Sequence, residues 1–320
     1  MLSRHAESFF WLSRNVERAE TVARIFDVTA TRSVEADGAD GWGRRAWSIA
    51  FAIATFSDPR AAVGGVRATL ERCIFDPANA SSIVSAVSIA RSNAIGVRAE
   101  LSTETWENIN QLYLDVNGRT LEGVGLEGLS GFLRRVRDRC QAIAGVSDGT
   151  LLHVDGWNFL QLGRYVERGY LAARMLNAME SLDEPWPEWQ RLLEMSCASM
   201  PFARAAEHLR SARDAVAFIV LDATFPRSIK FCANEIDAAL HRISETAPGQ
   251  SFANEAEKLA GRLAATLNFC DIDDVFEQGL HVFLEGVMDD LLGIVTAIQR
   301  AYFPRVPVAA VPLQRSEAYG

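Results

Sequence analysis

The chain has 320 residues, of which 49% are hydrophobic and 23% charged, and its formal net charge is −9. This composition is typical of a globular protein with a sizeable core, and the acidic balance argues against a general nucleic-acid binder, which needs a basic face. Five scattered cysteines without a Cys-x-x-Cys pair, and apolar runs too short to cross a bilayer, favour a cytoplasmic protein with reduced thiols and no membrane partner.

Apolar residues recur at spacings of three and four along almost the whole chain, whereas two-residue alternation is scarce. This pattern predicts an all-α protein. Turn-forming sequences such as DGADGWG at 37–43 and APGQ at 247–250 separate the periodic stretches. In chain order, about twelve helices are predicted near residues 3–33, 44–57, 61–75, 80–100, 103–122, 127–147, 155–181, 187–198, 203–222, 227–246, 251–270 and 272–302.

The first predicted helix carries a sequence that returns in the second half of the chain. Residues 9–26 read FFWLSRNVERAETVARIF and residues 159–176 read FLQLGRYVERGYLAARML, with eight of the 18 positions identical. A fainter echo relates DPANASSI at 76–83 to DATFPRSI at 222–229. Because matching segments return in the same order, they indicate an internal duplication.

The duplication predicts how the chain is organised. We expect a first helical half at 1–150 and a second at 151–302, each with six helices. The short connection between them favours one fused, pseudo-symmetric helical bundle over two separate domains. Residues 303–320 are rich in proline, and we expect them to form an extended or mobile tail.

Charged side chains are among the positions that the two copies share: Arg14, Glu17, Arg18 and Arg24 recur as Arg164, Glu167, Arg168 and Arg174. Three interpretations stay open. A solvated polar face is the usual place for charges, although duplicated copies are free to change there. A buried Arg–Glu network would determine how helices pack. A site would use the arginine forks to bind a carboxylate or phosphate, with Glu17 or Glu167 as the acid or base.

Further arginines and serines are candidates for anion binding. Arg91 and Arg98 are seven residues apart and share a face of one predicted helix. Ser82 and Ser228 each stand just before a predicted helix, and Arg227 precedes Ser228. A helix start of this kind can hold a phosphate or carboxylate, but a serine there is also the usual N-cap.

The sequence lacks several motifs that bind metals and nucleotides. The chain contains no Glu-x-x-His and no His-Glu-x-x-His, the spacings of helical di-iron and zinc sites. It also lacks the Gly-x-x-x-x-Gly-Lys-Ser/Thr loop that cradles phosphates. We therefore expect no metal and no cofactor, and any ATP-dependent step would belong to a partner.

Several segments resemble the alpha-E proteins, bacterial all-helical proteins named for a Glu-Arg motif. The opening of the chain at 2–28, LSRHAESFFWLSRNVERAETVARIFDV, closely resembles the family's opening. The other matching segments are FDPANASSIVSAVSIARSNAIGVRAELSTETWENIN at 75–110, NFLQLGRYVERGYLAARML at 158–176, LDATFPRSIKFC at 221–232 and GLHVFLEG at 279–286. The resemblance extends to about residue 302. One departure is Ile95-Gly96 after RSNA, where the family pattern leads us to expect an arginine.

The resemblance implies a functional context. Alpha-E proteins look like companions of circularly permuted ATP-grasp ligases, and they occur beside transglutaminase-like proteins, in a setting of ATP-dependent amide or peptide bond formation. We therefore expect a helical accessory subunit that binds such a ligase, or an anionic small molecule or peptide (a carboxylate or acyl-phosphate substrate or product), at the Arg/Glu cluster. Two alternatives stay open: an enzyme acting on amides or acyl-phosphates with Glu17 or Glu167 as acid or base, and a purely structural scaffold.

Overall fold

The structure is a computed structural model that describes residues 3–35, 42–55, 65–180, 186–205, 211–247 and 252–303. Within these ranges the protein is all-α, with fifteen α-helices and no strand. The helices are α1 Ser3–Glu35, α2 Trp42–Thr55, α3 Gly65–Leu70, α4 Ile83–Gly96, α5 Thr103–Val116, α6 Leu121–Val124, α7 Leu126–Thr150, α8 Asp155–Glu180, α9 Trp186–Met195, α10 Ser199–Ala205, α11 Ala212–Leu221, α12 Ile229–Ser244, α13 Glu255–Phe269, α14 Ile272–Gln278 and α15 Leu280–Tyr302. A short π-helical segment, Glu71–Phe75, continues α3.

The predicted all-α class is confirmed, and the differences concern where helices end. The helix predicted at 272–302 is divided into α14 and α15 at Gly279, whose φ of +89° favours glycine and breaks the helix. The helix predicted at 103–122 is divided into α5 and the short α6. The division into two halves stays a prediction, and the tail beyond Phe303 lies outside the described residues.

The two helices that carry the repeated sequence, α1 and α8, pack directly against each other. α1 also contacts α4 and α7, whereas α8 contacts α12 and α15. The two helices approach closely at Gly163, where a Cβ atom would lie 2.2 Å from the carbonyl oxygen of Phe10 and 2.3 Å from Oγ of Ser13. Since no side chain fits in that space, glycine at 163 lets the two helix backbones come close together.

Aromatic side chains connect α1 to α2 and to the residue that follows α15. Phe10 and Phe26 of α1 are fully buried. The ring of Phe10 lies 5.7 Å from the ring of Phe303, just after α15, and the ring of Phe26 stacks on Trp47 of α2 at 6.1 Å. Burial of such large apolar side chains is the main favourable term in folding.

The same capped turn precedes α4 and α12. Ser82 accepts a hydrogen bond from a backbone N–H three residues ahead at 3.1 Å and donates one to the carbonyl oxygen of Asp76 at 2.7 Å. Ser228 accepts the equivalent N–H bond at 3.0 Å and donates to the carbonyl oxygen of Asp222. The faint second echo in the sequence is thus a shared helix-capping turn.

Two further expectations from the sequence are that the cysteines are reduced thiols and that the protein has no membrane partner. All five cysteines are free thiols, and burial raises the pKa of Cys73 and of Cys232 to about 12. These two side chains are therefore neutral thiols at neutral pH. Across the described ranges, no helix is both long enough and apolar enough to cross a membrane.

Candidate functional site

Glu17 on α1 is paired with arginines from the second half of the chain. Its two carboxylate oxygens accept hydrogen bonds from Nε and Nη2 of Arg168 on α8 at 2.8 and 2.9 Å, the fork geometry in which Arg–carboxylate pairs are strongest. Nη1 of Arg227, just before α12, donates to the same carboxylate at 3.1 Å. Glu17 is only 6% exposed, so solvent screens these pairs little.

Glu167 on α8 makes the reciprocal pairing with α1. Nε of Arg14 and Nε of Arg18 donate to its two carboxylate oxygens, each at 2.6 Å. Glu167 is completely buried. Each helix therefore sets its glutamate against arginines of the other helix. We call the side chains that take part, namely Arg14, Glu17, Arg18, Glu20, Arg24, Glu167, Arg168 and Arg227, the crossed network.

Glu20 and Arg24 extend this network along α1. One oxygen of Glu20 accepts a hydrogen bond from Nη2 of Arg227 at 3.1 Å. The other pairs with Arg24 one turn away and accepts from Nε2 of Gln141 on α7 at 3.2 Å. Arg227 consequently bridges Glu17 and Glu20 and connects the start of α12 to α1. In the described structure, the buried Nε of Arg24 has no hydrogen-bond partner.

Arg174 is the repeat counterpart of Arg24, but the structure places it elsewhere. Its Nη2 donates to the carbonyl oxygen of Ala52 at 2.8 Å, and its Nε donates to that of Ile53 at 3.4 Å. These carbonyl groups lie at the C-terminal end of α2, where a positive charge is favourable. The same residue type therefore pairs with a carboxylate in one copy and supports a helix end in the other.

Arg91 lies on α4, but Arg98 lies in the turn after that helix ends at Gly96, so the two are not on one helix as predicted. Both lie beside aromatic side chains of α5. Their guanidinium carbons are 5.8 and 5.1 Å from the ring centroid of Trp106, and Arg91 also lies 4.5 Å from the ring centroid of Tyr113. Nε of Arg91 donates to Oδ1 of Asn110 at 3.0 Å. This arrangement is a cation–π contact between two helices, separate from the crossed network.

Burial and charge act in opposite directions on the two glutamates. Burial alone would raise the pKa of Glu17, but the charges of Arg168 and Arg227 outweigh it and lower that pKa to about 2. Burial is likewise outweighed at Glu167, where the two arginines of α1 hold the pKa below its usual range. Both carboxylates are therefore ionised at neutral pH, and a carboxylate of such low pKa is a weak base.

Arg164 occupies the position on α8 that Arg14 occupies on α1, but it lacks the matching carboxylate. Its Nη1 donates to Oε1 of Gln161, a neutral amide, at 3.2 Å. Burial, and next the charge of Arg168, lower the pKa of Arg164 below the usual range of an arginine. An arginine stays charged in proteins, so Arg164 is a largely buried positive charge without an ion pair in the described part of the chain.

A cavity of about 50 Å³ lies beside the crossed network, between α1, α7 and α8. The charged residues that line it are Glu17, Glu20, Arg164, Arg168 and Arg227. Its lining also includes Ser13 and Ser147 and apolar residues of all three helices. Gln141, another lining residue, is exposed, so the cavity lies close to solvent.

Two larger clefts lie away from the network. One of about 770 Å³ runs beside α3 and α6 and is lined by Arg67, Arg72 and Asn79 among others. The other, of about 460 Å³, lies between the turn after α4 and the turn before α8, beside Leu101 and Leu152. Neither cleft is lined by a residue of the crossed network.

Two glycine-containing segments match catalytic or cofactor patterns by sequence but not by structure. GVSDG at 145–149 fits Gly-x-Ser-x-Gly, and GVGLEG at 123–128 fits Gly-x-Gly-x-x-Gly. The first pattern needs a strand-to-helix turn and the second a preceding strand. Ser147 lies inside α7, and the second segment begins inside α6 and continues into α7, with no strand before it in the described residues. Neither segment therefore forms the site that its pattern describes.

Sequence reasoning missed Glu20, Gln141 and Ser147. Glu20 is replaced by Tyr170 in the second copy, so the repeat gave no sign of its importance. Its spacing from Arg24 by four residues is the signal that could have found it.

Within the described ranges, no group of three or more His, Cys, Asp or Glu side chains is placed to hold a metal ion.

Curated relatives match over nearly the whole chain but are much longer. They are uncharacterised proteins of Mycobacterium bovis and of two strains of Mycobacterium tuberculosis, each 23% identical over 325 residues. The match covers 91% of this chain and 36% of each relative, so the chain spans little more than a third of their length. No solved structure matches the chain.

A family described as "a predicted alpha-helical domain with a conserved ER motif" matches residues 1–303. The chain contains Glu-Arg dipeptides at Glu17-Arg18 and Glu167-Arg168, and all four side chains lie in the crossed network. The match spans every described helix. The chain therefore belongs to the Alpha-E family.

Proposed function

We propose that this chain is a helical accessory subunit of an ATP-grasp-type amide or peptide ligase. In this proposal the chain binds the ligase, or an anionic substrate or product of the ligase, at the Arg/Glu cluster. The anion would be a carboxylate or an acyl-phosphate. The nucleotide chemistry would belong to the ligase, and a transglutaminase-like protein is a second candidate partner.

The observation that carries the proposal is the imbalance of charge in the cluster. Six guanidinium groups lie close together, and three carboxylates, those of Glu17, Glu20 and Glu167, pair with five of them. Buried charges need partners because the protein interior solvates them poorly. A cluster with surplus positive charge next to a cavity is suited to an anionic group.

The state of the glutamates favours a binding role over an enzymatic one. Both oxygens of Glu17 and both oxygens of Glu167 already accept hydrogen bonds from arginines. A general base needs a pKa near the working pH, whereas the pKa of Glu17 is lowered, against the effect of burial, to about 2. This argues against the alternative in which Glu17 or Glu167 acts as acid or base.

The length of the relatives agrees with a partner protein. In the mycobacterial proteins the segment similar to this chain is 36% of the whole, so the helical body is joined there to a long further stretch of polypeptide. A body that is covalently linked to other segments in one protein often contacts a separate chain in another. In this proposal, the ligase is the separate chain that the helical body contacts.

A structural scaffold is the second candidate, and the reciprocal pairing favours it. Arg14 and Arg18 meet Glu167, and Arg168 meets Glu17, across the same helix interface. Such pairing fixes how α1 and α8 pack. The scaffold alternative predicts that removing Arg164, which lies outside these pairs, changes neither ligand binding nor partner binding.

The test is association with the circularly permuted ATP-grasp ligase of the same organism. The two proteins are mixed at micromolar concentration, with and without ATP and the acid substrate of the ligase, and analysed by size-exclusion chromatography with light scattering. The proposal predicts a complex of defined mass under at least one condition. Separate elution under every condition contradicts it.

A further inference from the structure

The geometry around Arg164 points to one particular anion-binding position. The repeat aligns Arg164 with Arg14, which donates from Nε to Glu167 at 2.6 Å. The carboxylate that would serve Arg164 in the same way is Glu17. Both oxygens of Glu17 already accept from Arg168, and one accepts from Arg227 as well.

Arg168 and Arg227 together distinguish the two copies at this point. In the fainter repeat, the position of Arg227 corresponds to Ser81 in the first copy. A serine cannot reach or neutralise Glu167, which is left to Arg14 and Arg18. At Glu17, the fork of Arg168 takes both oxygens, and the added Arg227 shares one of them, so Arg164 makes no ion pair there. Arg164 keeps a hydrogen bond to the neutral Gln161.

The cavity next to Arg164 limits the size of a ligand. Its volume is about 50 Å³, and one water occupies roughly 10–15 Å³ on this measure. The space therefore suits a few waters or one oxyanion of about four or five heavy atoms. A nucleotide or a sugar phosphate does not fit inside it.

The lining of the cavity agrees with an oxyanion of low charge. Arg164 has a planar fork of N–H donors, which matches carboxylate and phosphate oxygens. Ser13 and Ser147 also line the cavity, and the hydroxyl of Ser13 donates to the carbonyl oxygen of Phe10 at 3.2 Å. Glu17 and Glu20 also line the cavity, but their charges are neutralised by Arg168, Arg227 and Arg24.

We infer that Arg164 binds a small oxyanion, a carboxylate or phosphoryl group, in the cavity between α1, α7 and α8. This inference rests on the proposed function only in placing an anion at the Arg/Glu cluster, and it does not require the ligase. The anion completes the pairing of Arg164 that Glu167 provides for Arg14 in the other copy.

The experiment uses the whole chain alone and three small probes: acetate, inorganic phosphate and chloride. Isothermal titration at constant ionic strength measures binding of each probe to the wild type and to Arg164→Gln, Arg164→Lys and Arg300→Gln. Arg300 is exposed on α15 and serves as the matched control. Circular dichroism and thermal unfolding verify that every variant is folded.

Saturable binding of acetate or phosphate, with chloride weaker, is the expected result. Binding is about tenfold or more weaker in Arg164→Gln, since a hydrogen bond to a charged group is lost, and intermediate in Arg164→Lys, which keeps the charge without the fork. Preference for acetate assigns a carboxylate ligand, and preference for phosphate assigns a phosphoryl group.

Two results would overturn the inference. One is the absence of saturable binding by acetate and phosphate to the folded wild type. The other is equal binding by the wild type and by folded Arg164→Gln or Arg164→Lys. Because ligase association is measured separately, either result leaves the proposed partnership standing, and a missing ligase complex leaves the oxyanion site standing.

Discussion

Glu17 and Arg168 form a two-pronged ion pair across the interface between α1 and α8, with N···O distances of 2.8 and 2.9 Å. The pair joins one copy of the repeated sequence to the other, and Glu167 makes the reciprocal contacts at 2.6 Å. Charges buried in this way influence stability most when only one partner is removed.

Removal of Glu167 should destabilise the protein strongly. In Glu167→Gln, Arg14 and Arg18 lose the carboxylate to which both donate, and breaking a buried pair in this way costs about 3–5 kcal/mol of unfolding free energy. Urea unfolding at pH 7 measures the change. The control Glu107→Gln, at an exposed position on α5, should change stability by less than about 0.5 kcal/mol. Equal effects in both variants would contradict the buried network.

A methyl group at position 163 should force the central helices apart. In Gly163→Ala the new Cβ would lie 2.2 Å from a backbone oxygen of α1, and we expect a loss of about 3 kcal/mol or more. Gly145→Ala is the matched control because a Cβ at that position on α7 meets no atom within 4 Å, and it should stabilise by about 1 kcal/mol. Tolerance of alanine at 163 would show that α1 and α8 pack less closely than described.

Stability should fall in acid because of Glu17. Its folded-state pKa is lowered, against the effect of burial, to about 2, whereas an unfolded glutamate has a pKa of about 4.3. The ionised pair thus contributes its stability above about pH 4.3, and this contribution is lost as the pH falls toward 2. In Glu17→Gln the decrease of unfolding free energy between pH 5 and pH 2.5 should be smaller than in the wild type. A decrease of the same size would contradict this assignment, and Glu107→Gln should follow the wild type.

The two serine caps should act as structural residues and not as ligand contacts. Ser82→Ala and Ser228→Ala each remove the acceptor for a backbone N–H at the start of a helix and should cost about 1 kcal/mol. Acetate and phosphate binding should stay as in the wild type in both variants. Loss of anion binding with unchanged stability would instead support the helix starts as sites.

Much of the architecture and part of the site could be predicted from the sequence. The spacing of apolar residues predicts helices because packing repeats every three to four residues. Five of the repeated charged residues could be found because each is held by a partner in the other copy, across one interface: Arg14, Glu17, Arg18, Glu167 and Arg168. For these residues, the charge that both copies share reflects an ion pair between α1 and α8.

Other features of the site and the fold could not be predicted by comparing the two copies of the repeat. Glu20 and Arg227 stand opposite Tyr170 and Ser81 in the repeats, so comparison of the copies does not reveal them. Arg24 and Arg174 match in sequence but have different partners, because Glu20, the carboxylate that pairs with Arg24, is Tyr170 in the second copy. The break at Gly279 could not be predicted because the apolar periodicity continues on both sides of it.

The most direct test of the central claim is the rate of ATP turnover by the ligase as this chain is added. The account predicts a saturable change in turnover in the presence of the acid substrate. The change should remain with Arg300→Gln and be reduced with Arg164→Gln. Turnover that stays the same at every concentration of the chain would contradict the assignment of this Alpha-E protein as an accessory subunit.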